Sequence, residues 1–381
     1  MNPLNGLTRR NTLGAALVGI AGLALGKTAS VLADTVLPLG LDAIAQTRGL
    51  RFGTAIAAGK LNQRDLVALI DQECGVIVAE NAFKWKQIEP QKGSFDFKGA
   101  DAIASFADNH KKLLRGHNLV WPGNEFQPDW MKGKAAQSGK DTAAWAVKMI
   151  RQHVALMISR FPDIMSWDVV NEAVKPYTGK LNASILTQPL GDRLLDVAFK
   201  MARQTAPKAQ LVYNDYMSWG IGVGHRDGVL RLLEGAIKRG VPIDALGIQS
   251  HLWATLDRPI DELAWRKFLE EIEAMGLDIL ITELDCSDRN VISKNVAVRD
   301  AETAAFVKGY LDVTLSFKRT KEVLVWGLCD RDSYMNAAFF AESRRRPDGL
   351  PLRGQPYDTE LQAKPMRQAI ANALAAAPAR S

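Results

Sequence analysis

The chain has 381 residues, of which 47% are hydrophobic and 24% charged, and it carries a formal net charge of +6. That length and apolar share can bury a large core and exclude a disordered chain, and one large globular domain accounts for them. The positive balance does not make a nucleic-acid surface, because the basic residues are scattered and only Arg344-Arg345-Arg346 forms a run, as on a solvated loop.

The first segment reads as an address. Thr8-Arg9-Arg10-Asn11-Thr12-Leu13 precedes an apolar, Gly- and Ala-rich stretch from Gly14 to Gly26, and Val31-Leu32-Ala33 offers a small-residue cleavage site. The apolar stretch is too short to span a bilayer. Residues 1–33 are therefore expected to be a twin-arginine signal peptide, with 34–381 the mature, periplasmic or secreted protein.

From there the chain alternates. Short apolar, β-branched runs begin near Leu50, Gly75, Lys112, Ile164, Gln210, Ala245, Asp278 and Glu322, with amphipathic helical stretches between them. In the stretch from Asp227 to Arg239, for example, Val229, Leu232, Leu233, Ala236 and Ile237 share one helical face, and Gly240 and Pro242 stop it. Lys364 to Ala376 reads as the last helix, and no Gly/Ser- or Pro-rich linker interrupts the pattern after Asp34. Eight strand-helix units predict an α/β fold, a single-domain (β/α)8 TIM barrel whose working face lies at the C-terminal strand ends. A doubly wound open sheet is the alternative, but no Gly-rich phosphate loop follows the first strand.

Cys74, Cys286 and Cys329 sit in or beside apolar runs, which fits buried free thiols, with a Cys286–Cys329 bridge as the rival. No Cys/His spacing suits a metal, and no cofactor is expected.

Chemistry gathers at the strand tips. Glu172 ends the run Ile164 to Asn171, and Glu283 ends Asp278 to Thr282. Two carboxylates at the tips of buried strands are what acid/base and nucleophilic work on a glycosidic bond requires. Other polar clusters follow the remaining runs: Glu80-Asn81 with Lys84-Trp85, His117-Asn118, Asn214-Asp215-Tyr216, Gln249-Ser250-His251 and Asp330. Packing alone does not select Glu, Asn, Gln and His after runs of Val and Ile. His110, His153 and His225 are expected to be structural or surface residues, and Trp85 to pack in the core.

These residues resemble glycoside hydrolase family 10, the family of endo-β-1,4-xylanases. Trp167-Asp168-Val169-Val170-Asn171-Glu172-Ala173 is similar to its acid/base motif and Ile281-Thr282-Glu283-Leu284-Asp285 to its nucleophile motif. The likeness runs from about Leu50 to the end and takes in Gly116-His117, Arg226-Asp227-Gly228, Gly240-Val241-Pro242-Ile243-Asp244 and Val325-Trp326-Gly327. It implies a retaining double displacement on xylan. Ionised Glu283 attacks the anomeric carbon while protonated Glu172 supplies the leaving group's proton, and the two carboxyls stand about 5–5.5 Å apart. The period of two puts Ile281, Glu283 and Asp285 on one strand face, from which Asp285 can support His251. In the family the matching histidine bridges towards the nucleophile.

The resemblance further implies that Asn171 meets the sugar's 2-hydroxyl, that Glu80, Asn81, Lys84, His117 and Gln249 form a hydrogen-bonding floor, and that Trp121 and Trp326 offer stacking faces. Two departures stand out. The family usually has a Trp where this chain has Tyr334, and Pro122-Gly123-Asn124 replaces a His- and Gln-containing segment after Trp121. The loop from Phe339 to Tyr357, with its three arginines, is a candidate for meeting an acidic side group on xylan. The expected partners are xylan or xylo-oligosaccharides, with the chain a monomer and neither nucleic acid nor, once the signal is removed, a membrane involved. The competing readings are a related barrel glycosidase acting on another β-1,4-glycan and a catalytically weak carbohydrate-binding protein.

Overall fold

Val, Ile and Leu dominate the strands because a sheet covered by helices on one face and filled with side chains on the other leaves no wet side. In the computed structural model, which describes residues 39–135, 141–176, 178–220, 223–254 and 260–380, nine strands form. They are β1 (Arg51–Ile56), β2 (Val76–Ala79), β3 (Leu113–Val120), β4 (Ser166–Asn171), β5 (Gln210–Asp215), β6 (Ala245–Ile248), β7 (His251–Trp253), β8 (Asp278–Ser287) and β9 (Thr320–Val325). The export signal expected over residues 1–33 lies outside the described residues.

Every pairing is parallel. β1 joins both β2 and β9, and β6 joins β8, so eight strands close into a barrel. β7 is the exception, a short strand added alongside the upper end of β8 through His251↔Asp285 and Trp253↔Ser287. Helices such as Arg64–Glu73, Thr142–Arg160, Val223–Lys238 and Pro365–Ala376 cover the outside. The fold is the (β/α)8 barrel that the alternating runs predict.

The helix expected from Asp227 begins at Val223 instead. His225 and Arg226 are buried in its first turns, and polar residues turned inward are invisible to a search for apolar periodicity. Cys74, Cys286 and Cys329 are all buried free thiols, so the Cys286–Cys329 bridge does not form. Among the described residues no helix is long and apolar enough to cross a membrane.

Inside the barrel the core is partly ionic. Arg115 on β3 reaches Asp168 on β4 at 2.6 Å and Glu322 on β9 at 3.3 Å, all three nearly free of solvent. Removing one member of such a buried set leaves an unpaired charge, so the network fixes the spacing of these strands. Gly116, next along β3, lies opposite Trp167. A Cβ there would stand 2.0 Å from the indole. Gly116→Ala is therefore expected to destabilise the barrel by about 1–3 kcal/mol through overpacking, read as a lower urea midpoint. An unchanged midpoint would mean that the Trp167 ring can move aside.

Candidate active site

Two bends without glycine aim the rim. Glu172 follows β4 with φ of 54°, and Ser250, between β6 and β7, has φ of 63°. A non-glycine residue in the left-handed region stays there only when its surroundings hold it. The Glu172 amide donates to the Asn214 carbonyl at 2.8 Å. The Ser250 hydroxyl lies 2.6 Å from that of Tyr310. Glu283 needs no such bend, since it sits within β8 and its amide donates to the Gln249 carbonyl at 3.0 Å.

Side-chain amides join the two carboxylates. Gln249 Nε2 donates to Glu172 Oε1 at 2.8 Å and to Asn171 Oδ1 at 3.4 Å. Asn214 Nδ2 donates to the same Asn171 oxygen and to Glu283 Oε1, both at 2.9 Å. The Thr282 hydroxyl, donating to Asn214 Oδ1 at 2.7 Å, fixes which way the Asn214 amide faces. Asn171 Nδ2 is left buried without a protein acceptor, and such a donor calls for a partner. Trp121 Nε1 makes a second bond to Glu172, at 3.0 Å to Oε2. On the far side His251 links Glu283, 3.2 Å from Nε2, to Asp285, 2.9 Å from Nδ1.

The surroundings drive the two carboxyls apart. Burial pushes Glu172 up to about 7, helped by the negative charges of Asp215 and Glu283 and only partly offset by the bonds from Gln249 and Trp121. Burial also works on Glu283. There the hydrogen bond from His251 and the positive charges of His117, His251 and Lys84 prevail, and its carboxyl is held below the usual value. His251, despite burial, is raised to about 10 by Asp285 and Glu283 and so stays protonated. The result is one protonated and one ionised carboxyl, the division of labour that acid/base chemistry needs.

The remaining expected site residues lie on the same rim. Lys84 Nζ donates to Asn81 Oδ1 at 2.8 Å and lies 4.9 Å from the centre of the Trp121 ring. Burial lowers the Lys84 ammonium against the pull of Glu283, Glu172 and Glu80, and burial raises the Glu80 carboxyl. His117 Nδ1 lies 2.9 Å from Asp168, its ring edge-on to Trp326 at 5.3 Å. Tyr334 packs beside Trp326. Trp85 is in the core, stacked on His153 at 4.0 Å.

Phe126 lies parallel to Trp121 with ring centres 3.4 Å apart and so covers one face of the indole. The short turn Asn124–Phe126 that follows Pro122-Gly123 carries Phe126 there. One expectation needs correction, because the three arginines cannot act together on a substrate. Arg346 is 4% exposed and tied to the carbonyls of Asp288 and Val291 and to Asp348. Arg345 donates to the carbonyls of Ala337 and Phe340, and Arg344 alone is exposed.

Sequence reasoning passed over Asn214, Thr282 and Asp215. Asp215 is fully buried, accepting from the Tyr213 hydroxyl at 2.5 Å and lying 3.3 Å from His225. Asn214 and Asp215 stood in a polar strand end, which marked their place on the rim but no role. A cavity of about 770 Å³ opens elsewhere, among Arg51, Met165, Lys208, Gln210 and Glu322 at the starts of the strands, away from these groups.

Known proteins share this arrangement of strands and much of this sequence. The chain is 31% identical over 302 residues to endo-1,4-beta-xylanase 3 of Hypocrea jecorina, covering 77% of this chain and 78% of that protein. It is 30% identical over 300 residues to endo-1,4-beta-xylanase A of Caldicellulosiruptor saccharolyticus, covering 74% and 83%. Native xylanase 10B from Thermotoga maritima superposes with a TM-score of 0.77 at 25% identity, over 88% of this chain and 98% of that one. The family model described as Glycosyl hydrolase family 10 matches residues 40–373, nearly the whole barrel from the first helix to the last, and the chain belongs to that family.

Proposed function

We propose that the protein is an endo-1,4-β-xylanase that retains anomeric configuration, with Glu283 as nucleophile and Glu172 as acid/base. The observation that carries this reading is the pair of buried carboxyls joined through Gln249, Asn171 and Asn214, with His251 bonded to Glu283 alone of the two, an arrangement in which burial raises Glu172 while His251 helps to hold Glu283 down. The names of its relatives, endo-1,4-beta-xylanases of fungal and bacterial origin, support the substrate.

In the first step Glu283 forms a bond to the anomeric carbon as the glycosidic bond breaks, and Glu172 gives its proton to the departing oxygen. In the second, Glu172, now ionised, takes a proton from water, whose oxygen displaces Glu283 from the same carbon. Asn171, with its unpartnered Nδ2, donates to the 2-hydroxyl, a bond that strengthens as positive charge grows on the ring. Glu80, Asn81, Lys84, His117 and Gln249 hold the adjoining sugars, and Trp326 and Tyr334 supply apolar contact. Residues 1–33 direct export by the twin-arginine route, and 34–381 act as a monomer outside the cytoplasm.

Because Glu172 must carry a proton in the free enzyme, kcat/KM is expected to fall about tenfold per pH unit above its pKa of about 7. Trp121→Phe removes a bond that lowers that pKa, so the alkaline limb moves to higher pH. A limb that stays or moves down would assign it to another group. The reaction itself is tested by proton NMR of xylohexaose digestion, beside parallel assays on xylan, cellulose and mannan. Initial β-anomers and a preference for xylan are expected. Initial α-anomers overturn retention, and preference for a hexose polymer overturns the substrate, a comparison worth making because the exoglucanase XynX of Acetivibrio thermocellus is 29% identical over 86% of this chain.

A further inference from the structure

Tyr334 opens the short turn Tyr334–Asn336 beyond the last barrel strand. Its ring is set by two edge contacts, to His251 at 5.8 Å and 62° and to Phe340 at 5.7 Å and 82°. Its hydroxyl lies 3.3 Å from His251 Nδ1. That nitrogen is already engaged, 2.9 Å from Asp285 Oδ2.

One ring nitrogen holds one proton. When Nδ1–H donates to Asp285, the phenol cannot donate to Nδ1, and its oxygen stands there as a second acceptor for the same proton. At 1% exposure the Asp285 carboxylate cannot turn to water, so its bond to the imidazole must be kept. Burial and the charge of Asp285 hold the phenol well above its usual pKa, so it stays a neutral hydroxyl.

We propose that the Tyr334 hydroxyl is a positioning group for the nucleophile: standing against Nδ1 beside Asp285, it holds the His251 ring with Nε2–H aimed at Glu283. The proposal rests on the reading of Glu283 as nucleophile. Without the hydroxyl, the Nδ1 edge of His251 keeps Asp285 but loses the second oxygen beside it. His251 is then held less firmly, and Glu283, buried, loses part of what keeps it ionised. Lys84, His117 and Glu172 also face Glu283, and Arg344 faces Tyr334. All four stay in place when only the phenol oxygen is removed.

The test is Tyr334→Phe, which keeps the ring and both edge contacts. The expected result is an acidic limb of kcat/KM moved to higher pH and a kcat lowered about tenfold, the scale of one hydrogen bond to a charged group. KM for xylotetraose and the alkaline limb stay where they are. An unmoved acidic limb with unchanged kcat overturns the proposal, and so does a loss confined to KM, which would make Tyr334 a substrate contact only. A 2-deoxy-2-fluoro-β-xylobioside with a dinitrophenolate leaving group separates this from the underlying reading. Label recovered on Glu283 upholds the nucleophile, and its accumulation is then expected to be slower in the Phe variant. Equal labelling rates overturn the role of Tyr334 alone, whereas label on any other residue overturns both.

Discussion

Glu283→Ala is expected to lower kcat on xylan on the order of 10⁴- to 10⁶-fold, the scale on which removal of a covalent nucleophile is felt, with oligosaccharide binding changed only a few-fold. The substitution removes the one ionised group among the donors His251, Asn214 and, through charge, Lys84. It leaves a small pocket lined by those donors, so a small anion such as azide should occupy it and attack an activated β-xylobioside directly. One displacement in place of two inverts the centre, and an α-xylobiosyl azide is the expected product. Retention of a substantial part of the wild-type rate in this variant would remove Glu283 from the role of nucleophile.

Glu172→Ala should behave differently. Loss of the proton donor is expected to lower kcat/KM about 10²- to 10⁴-fold on xylo-oligosaccharides. A dinitrophenyl xylobioside, whose leaving group needs no proton, should keep nearly all of its kcat/KM while its kcat and KM fall together, because hydrolysis of the intermediate becomes slow. The alkaline limb near 7 disappears with the carboxyl. Azide intercepting the intermediate gives a β-azide, the opposite anomer from that of Glu283→Ala. Equal losses on the two substrates would show that Glu172 is not the acid.

Much of this was legible before any coordinates. Strand positions are readable from apolar runs because both faces of a barrel strand are dry, and Glu172 and Glu283 are conspicuous because each breaks such a run at its end. What stayed hidden depends on distance or shape. β7 is three residues long, too short for periodicity to register, and the turn at Ser250 that creates it carries no glycine to announce it. Asn214 bridges β4 and β8 through bonds to Asn171 and Glu283, a relation between residues 43 and 69 positions apart that no local pattern encodes. Phe126 covers Trp121, and a sequence shows that an aromatic residue is present but not which faces stay bare. Arg346 looked like a surface charge because burial of an arginine depends on carbonyls such as that of Asp288, far away in the chain.

Two of the left-handed residues, Glu172 and Ser250, bear on how such a barrel can change over time. Each carries a strain of about 1–3 kcal/mol, and each aims a functional group, Glu172 itself and the neighbouring His251. Glycine at either place would ease the backbone, so drift towards greater stability leads away from catalysis at these two positions. A lineage that kept this fold after losing its substrate would be expected to relax here first, leaving a sturdier and silent barrel.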